Sequence, residues 1–369
     1  PMSRGLGDVY KRQTLLPLIS KYLRLNRLTN FLICAIGIVV ILIYGQYVLV
    51  PFIFALVLWF TVRIFTAITQ KIPFYGKMVP NGVKKIISTA IIFLVLFVSS
   101  QVVLSSFNNI IKSHHDYDDN IAKIILTLNT TFDIDVESYV EDNMATLDFK
   151  AIAGELFNAI STILSSALMI LLFVVFIFIE ETQFHKKLQK VFTKNEKKYT
   201  SLMETLSKIE WSVARYLGIK TLVSLITGFF SYLVFAFCDL NFAVFWAFLI
   251  FLLNYIPTIG SLLATIFPAV FSLLQFGDFS IGLIIFFVVG FIQVIIGNFL
   301  EPKWLGNSMN ISPLLSIISL VFWGAIWGTT GMIISVPVTV VILIILSKFE
   351  SYQSLAILLS EKGEINGEN

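Results

Sequence analysis

Charge is scarce in this 369-residue chain: Asp, Glu, Lys and Arg make up 13% of it, against about 25% in an ordinary soluble domain. Hydrophobic residues make up 57% and the mean hydropathy is +0.87. Burying that much apolar surface in water would need a core larger than the chain can enclose. A bilayer removes the difficulty, because lipid tails accept apolar side chains on the outside of a helical bundle. Cysteine is nearly absent. Cys34 and Cys238 lie far apart inside apolar runs, and they read as small buried hydrophobes, not as a disulfide. Histidine is rare as well, and no zinc spacing is present. His114-His115 beside Asp116, Asp118 and Asp119 reads as a solvated acidic loop, and His185 beside Lys186 as surface. Neither a G-x-x-x-x-G-K-[ST] loop nor an H-E-x-x-H helix occurs, which disfavours ATP-driven transport and zinc-protease chemistry. No enzyme activity, cofactor or bound metal is expected, and the net charge of +3 is too small to suggest nucleic acid.

The first apolar run lacks a small-residue cleavage site and continues into a second, so it reads as a retained span and not as a signal peptide. Residues 1–13, PMSRGLGDVYKRQ, have no periodicity and do not share the apolar character of the runs after them. They read as a non-native leader and are left out of the topology count.

Apolar runs from Phe31 to Tyr44 and Tyr47 to Thr61 flank Gly45-Gln46, which predicts a tight hairpin with Pro51 in the first turn of its second arm. A basic connection with Arg63, Lys71, Lys77, Lys84 and Lys85 precedes a third run, Ile86 to Phe107. An acidic segment, 108–155, comes next, and then a fourth run, Ala159 to Ile179, and six lysines between Lys186 and Lys198. Basic loops stay in the cytoplasm. The N-terminus, 62–85 and 184–210 are therefore expected inside, and 108–155 outside. Within 108–155, Ile110, Ile111, Ile121, Ile124, Ile125 and Leu128 recur at helical spacing and predict an amphipathic helix, while Asp133 and Asp135 alternate with apolar residues as in an extended stretch. Segment 184–215 reads as a continuation of the fourth helix and then an amphipathic helix through Trp211.

The rest of the chain has a different grammar. A fifth span, about Tyr216 to Phe237, is followed by two short apolar arms, Phe242 to Asn254 and Ser261 to Phe276, separated by NYIPTIG. A further span, Phe279 to Phe299, ends at Glu301-Pro302-Lys303. Two more short arms come after it, Ile311 to Trp323 and Met332 to Leu346, joined by GAIWGTTG, with Pro337 in the second. Each arm is shorter than the roughly 20 residues of a perpendicular span. Interrupted segments at matching places in two halves point to a transporter binding site. Backbone groups freed where a helix stops in the membrane must face protein or a wet cavity, where they can hold a solute or ion.

NYIPTIG (Asn254 to Gly260), GNFLEP (Gly297 to Pro302), Ser312-Pro313 and FWGAIWGTTGMIISVP (Phe322 to Pro337) resemble the AI-2E, or autoinducer-2 exporter-like, family of bacterial membrane proteins. The resemblance runs from about Leu28 to Leu346. It implies an inner-membrane transporter, homo-oligomeric and pentameric, with two helical hairpins in a moving unit. Some members look like exporters of autoinducer-2, and others like Na⁺(Li⁺)/H⁺ antiporters.

The expected architecture is an all-α polytopic membrane protein with about six full spans plus two Pro/Gly-broken hairpins in an inverted repeat. Its segments are a leader (1–13), spans one to three (14–107), the extracytoplasmic acidic segment (108–155), span four with a basic cytoplasmic segment (156–215), the transport unit (216–347) and a cytoplasmic tail (348–369). The bilayer is the first partner, and a small polar solute or monovalent cation the second. Candidate pathway residues are Asn254, Pro257, Gly260, Gln293, Asn298, Glu301, Pro313, Gly324, Gly328, Gly331 and Pro337. Polar groups deep in a membrane are costly and by default functional. Against that, Glu301 could pair with Lys303 in water, Asn254 could cap a helix, and Trp323 and Trp327 could line a pocket or an interface belt. Ion coupling needs a titratable group, and Glu301, Asp239 and Asp278 are the acidic candidates. A non-transporting scaffold built on segments 108–155 and 184–215 is the remaining alternative.

Overall fold

The computed structural model describes residues 29–30, 32–70, 79–112, 118–132, 166–193, 195–306, 309–361 and 363, and among these the chain is all helical, with no strand. The 1–13 leader, the His114-His115 pair and the Asp133–Val136 stretch lie outside the described residues.

α1 (Leu32–Tyr44) stops at Gly45, whose carbonyl accepts the N–H groups of Val48 and Leu49 at 3.0 and 2.9 Å. α2 (Gln46–Gln70) therefore starts afresh, with the break where the sequence placed it. Because α2 begins at Gln46, Pro51 falls inside it and not in its first turn. α3 (Asn81–Lys112) and the amphipathic α4 (Asp118–Phe132) come next. α5 (Ala167–Val191) bends by 54° between its Ala167–Glu181 and Gln183–Val191 parts.

α6 (Glu196–Phe237) is a single helix of 42 residues, about 63 Å long at 1.5 Å per residue. The sequence divided this stretch at Trp211. No Pro or Gly lies between Trp211 and Tyr216 to interrupt the hydrogen-bond ladder, so the polar and apolar parts fuse. Asn195 caps its start, accepting Lys198 N–H at 3.1 Å. Its buried residues, among them Tyr216, Lys220, Ser224, Thr227 and Ser231, recur every three or four positions and form one stripe facing the protein.

α7 (Ala243–Leu253) and α8 (Ile259–Phe276) fold back on each other. Trp246 and Phe271 bring their ring centroids to 5.1 Å, and Asn241 N–H donates to Gln275 Oε1 at 2.7 Å. α9 (Phe279–Ile295) continues through a π-helical turn, Ile296–Leu300, into α10 (Glu301–Leu305). α11 (Pro313–Leu346) carries a non-helical residue, Gly328, at φ 62° and ψ −147°. There too the chain doubles back: Trp323 Nε1–H donates to Thr339 Oγ1 at 3.1 Å, although a straight helix would hold residues 16 positions apart at about 24 Å. α12 (Gln353–Leu359) closes the described chain.

The two reversals share one device. A Cβ at Gly260 would collide with the Leu253 carbonyl, and one at Gly331 with the Trp323 carbonyl. Only glycine lets the returning arm approach that closely.

Among the described residues six stretches are long and apolar enough to cross a membrane: Gln46–Ala67, Gly82–Ser99, Glu196–Phe237, Ile259–Phe276, Phe279–Leu305 and Pro313–Leu346; the two parts of the bent α5, counted as one, make a seventh. The protein is a multi-pass membrane protein. Its largest core joins Phe235 of α6 to Ile250 and Leu253 of α7, Ala264 of α8, Ile285 and Val289 of α9 and Leu320 of α11. A second joins Val213 and Leu217 of α6 to Val340 and Leu343 of α11 and Ala356 of α12.

Candidate solute cavity

A cavity of about 820 Å³ opens between α6, the α7–α8 turn, the α9–α10 junction and the start of α11. Asn254, Pro257, Gln293, Asn298, Glu301 and Pro313 all line it, although 59 positions separate the first from the last.

The α7–α8 turn supplies one wall. Pro257 C=O accepts Ile259 N–H at 2.6 Å across Thr258, which is held at φ 62° and ψ −59°. That is a γ-turn of the rare, strained hand, built on a β-branched residue for which positive φ is a true outlier. Asn254 sits at the C-cap of α7 with its N–H bonded to Ile250 C=O at 3.0 Å. It also lines the cavity, 8% exposed, and its side-chain amide makes no hydrogen bond to a described residue. The capping position and the cavity position are the same one. Gly260 lies beneath the turn as the packing glycine.

The α9–α10 junction supplies the opposite wall. Along an ideal α-helix Gln293 and Glu301, eight residues apart, would point about 80° away from each other. The π turn at Ile296–Leu300 takes up one extra residue, visible in the Glu301 N–H bond to Ile296 C=O, and so returns about 100° of rotation. Gln293, Gly297 and Glu301 thereby face the same cavity. Gln293 Nε2 donates to Ser261 C=O at 3.3 Å and ties this wall to α8.

Glu301 does not pair with Lys303. Its partner is Lys220 of α6, Nζ to Oε1 2.5 Å, with side chains 8% and 17% exposed. Lys220 lines the cavity, and the reading of the sequence passed over it. The signal was there: a lysine four residues into the fifth apolar run is an intramembrane charge, and such a charge demands a partner. Nearby, Thr221 Oγ1 and Tyr255 Oη share a hydrogen bond of 2.7 Å.

The other candidates lie elsewhere. Asp278 caps α9, its Oδ1 accepting Ser280 N–H at 2.8 Å. The Asp239 carbonyl accepts Gln275 Nε2–H at 2.8 Å at the base of the first hairpin. Neither lines the cavity. Gly324, Gly328, Gly331 and Pro337 shape the second hairpin, also away from the cavity lining. Trp323 and Trp327 are buried inside that hairpin with centroids 4.9 Å apart, so they form neither a pocket wall nor an interface belt. Among the described residues no group of three His, Cys, Asp or Glu side chains converges on one point.

The family model for AI-2E family transporters matches residues 20–351. This chain belongs to the AI-2E family. It is 30% identical over 346 residues to the AI-2 transport protein TqsA of Escherichia coli (strain K12), covering 89% of this chain and 95% of TqsA. YhhT of the same organism, named only by an inferred role in transport, is 28% identical over 297 residues, or 78% of this chain and 83% of that one. On this AI-2E chain the four motifs map onto geometry. NYIPTIG is the strained turn, GNFLEP the π turn and Glu301, Ser312-Pro313 the capped start of α11, and the Trp/Gly-rich stretch the sealed second reversal. The protein is a transporter by family, and not an enzyme.

Proposed function

We propose that the protein is a secondary transporter of the bacterial inner membrane. It exports a small polar solute, autoinducer-2-like, by alternating access of its 216–347 unit. The observation that carries this reading is the cavity itself. It is flanked by a helix break whose Asn254 side-chain amide has no hydrogen bond to a described residue, and by a partly buried Lys220–Glu301 pair. Freed backbone and amide groups in a low-dielectric setting bind a solute's hydroxyls strongly, and the cavity is large enough for a small metabolite.

In this reading the two hairpins re-enter the membrane from opposite sides, as an inverted repeat. Both termini lie in the cytoplasm, and the protein works as a homo-oligomer, a pentamer by family. Proteoliposome efflux of an autoinducer-2-like solute tests it. Flux that falls at least tenfold in Asn254→Ala, with protein correctly assembled, supports the cavity as the pathway. Unchanged flux in that variant and in Lys220→Met refutes it.

A second reading, Na⁺(Li⁺)/H⁺ antiport, draws support from one observation: a partly buried carboxylate, Glu301, lines the cavity. Among the three acidic candidates the coupling proposal narrows to Glu301, since Asp239 lies at the hairpin base and Asp278 caps α9. Na⁺-driven proton movement in vesicles that persists in Glu301→Gln would remove this reading.

A further inference from the structure

At the end of the apolar Ala167–Glu181 arm of α5, the bend of 54° redirects nine residues, Gln183–Val191, away from the axis of that arm. On a helical wheel at 100° per residue, Phe184, Leu188, Val191 and the adjoining Phe192 fall on one side. Lys186 and Lys190 fall on the other, with Lys187 on the flank between them. The apolar side is open: Val191 is 74% and Phe184 42% exposed. The three lysines are exposed too. Lys187 Nζ reaches Glu180 Oε1 at 2.6 Å on the preceding turn, a pair more than half exposed on both sides. Lys197 and Lys198, also exposed, extend the basic surface into the first turn of α6.

A short helix with an uncovered apolar stripe, a lysine face and low overall hydrophobicity is the description of a helix lying in a membrane interface. Its place immediately after the apolar Ala167–Glu181 arm puts it at headgroup depth once that arm is inserted, and the bend supplies the change of direction. The charge decides the headgroup. Each lysine at an anionic leaflet contributes about 1 kcal/mol of attraction, roughly fivefold in affinity, so three give on the order of a hundredfold preference over a zwitterionic surface.

We propose that residues 183–192 form an interfacial lipid-binding element specific for anionic phospholipid, with the Phe184–Val191 stripe in the acyl boundary and Lys186, Lys187 and Lys190 on the phosphates. This rests on membrane insertion and the bend, and is independent of what the protein carries.

The test is amide hydrogen exchange of the full chain in nanodiscs, one set of phosphatidylcholine alone and one mixed equally with phosphatidylglycerol. Amides 184–192 exchange at least about fivefold more slowly in the mixed discs, the worth of a single lysine–headgroup attraction. The difference vanishes in the triple variant Lys186→Gln/Lys187→Gln/Lys190→Gln and shrinks at raised ionic strength. Val191→Ser weakens protection in both discs. Exchange that ignores phosphatidylglycerol, or a lipid effect that survives the triple variant, overturns the proposal. Equal, strong protection in both discs also overturns it, because it means that protein, such as a second copy of this chain, covers the stripe.

Discussion

The Lys220–Glu301 pair offers the sharpest quantitative test, because two opposed terms of known size meet there. At 2.5 Å and an effective dielectric of about 20, the gross attraction is about 7 kcal/mol. Taking both charges out of water returns several kcal/mol per ion, so the pair is close to neutral as a unit. Removing one member is a different matter. Lys220→Met leaves the Glu301 carboxylate 17% exposed with no cation, a change that typically costs about 3–5 kcal/mol. Because the pair faces a cavity that admits water, the lower end applies: about 3 kcal/mol for Lys220→Met and a similar loss for Glu301→Gln. The double variant removes both charges together and should lie within about 1.5 kcal/mol of the unmodified protein. The cycle then gives a coupling of at least about 4.5 kcal/mol. Equilibrium unfolding in mixed micelles measures it, read by hydrogen exchange of α6. Additive losses, or single variants that each cost under about 1 kcal/mol, would refute the claim that these charges are buried and coupled.

Three further outcomes are expected at other parts of the site. Thr258→Gly removes a left-handed strain of about 1–2 kcal/mol and adds about 0.5–1 kcal/mol of glycine entropy, so the same unfolding assay should show a net gain of up to about 1.5 kcal/mol. Gly260→Ala and Gly331→Ala each drive a methyl into a backbone carbonyl of the opposing arm; losses above about 3 kcal/mol should appear as reduced monodisperse protein on size-exclusion chromatography, whereas Gly82→Ala, which meets nothing, leaves the profile unchanged. Asn120 of α4 donates to the last carbonyls of α8, Leu274 and Gln275, at 3.1 and 2.8 Å, so Asn120→Ala should cost about 1–2 kcal/mol and speed exchange at 274–277 with no change at the Asn254–Gly260 turn.

Much of this architecture was legible because the governing signals are local. Apolar runs and their breaks at Gly45, Pro257 and Gly328 are written in short windows, and each break appears where the composition put it. The amphipathic spacing of Ile121, Ile124, Ile125 and Leu128 likewise yields α4. The features that escaped are non-local or conformational. Lys220 and Glu301 are 81 positions apart, and no periodicity relates them. The π turn leaves no mark in hydropathy, yet it decides that Glu301 shares a face with Gln293. Fusion of the basic segment with the fifth span into α6 depends on the absence of a breaker, which a change of polarity does not reveal. Asn120 was not singled out by any spacing, yet its amide finishes a helix 154 positions away.

The two reversals differ in a way that bears on how such a unit could work. Both are closed by a glycine against a carbonyl of the facing arm, so their backbone device is common. Their surroundings are opposite. The first presents a strained Thr258, Pro257 and an Asn254 amide with no partner among the described residues to an open cavity. The second is sealed by Trp323, Trp327 and Met332, with the Trp323 indole donor already spent on Thr339. A polar turn facing a cavity and a hairpin packed on its own tryptophans cannot be energetically equivalent, since opening the second would uncover the buried Trp323 and Trp327 at about 25 cal/mol for each Å². If the unit alternates, opening at the second tip has to be offset by closing the first, where the Asn254 amide would have to find a partner or be buried without one at about 1–3 kcal/mol. A bound solute that hydrogen-bonds Asn254 removes that penalty. The Asn254 amide is therefore where the occupancy of the cavity would bias the change of state.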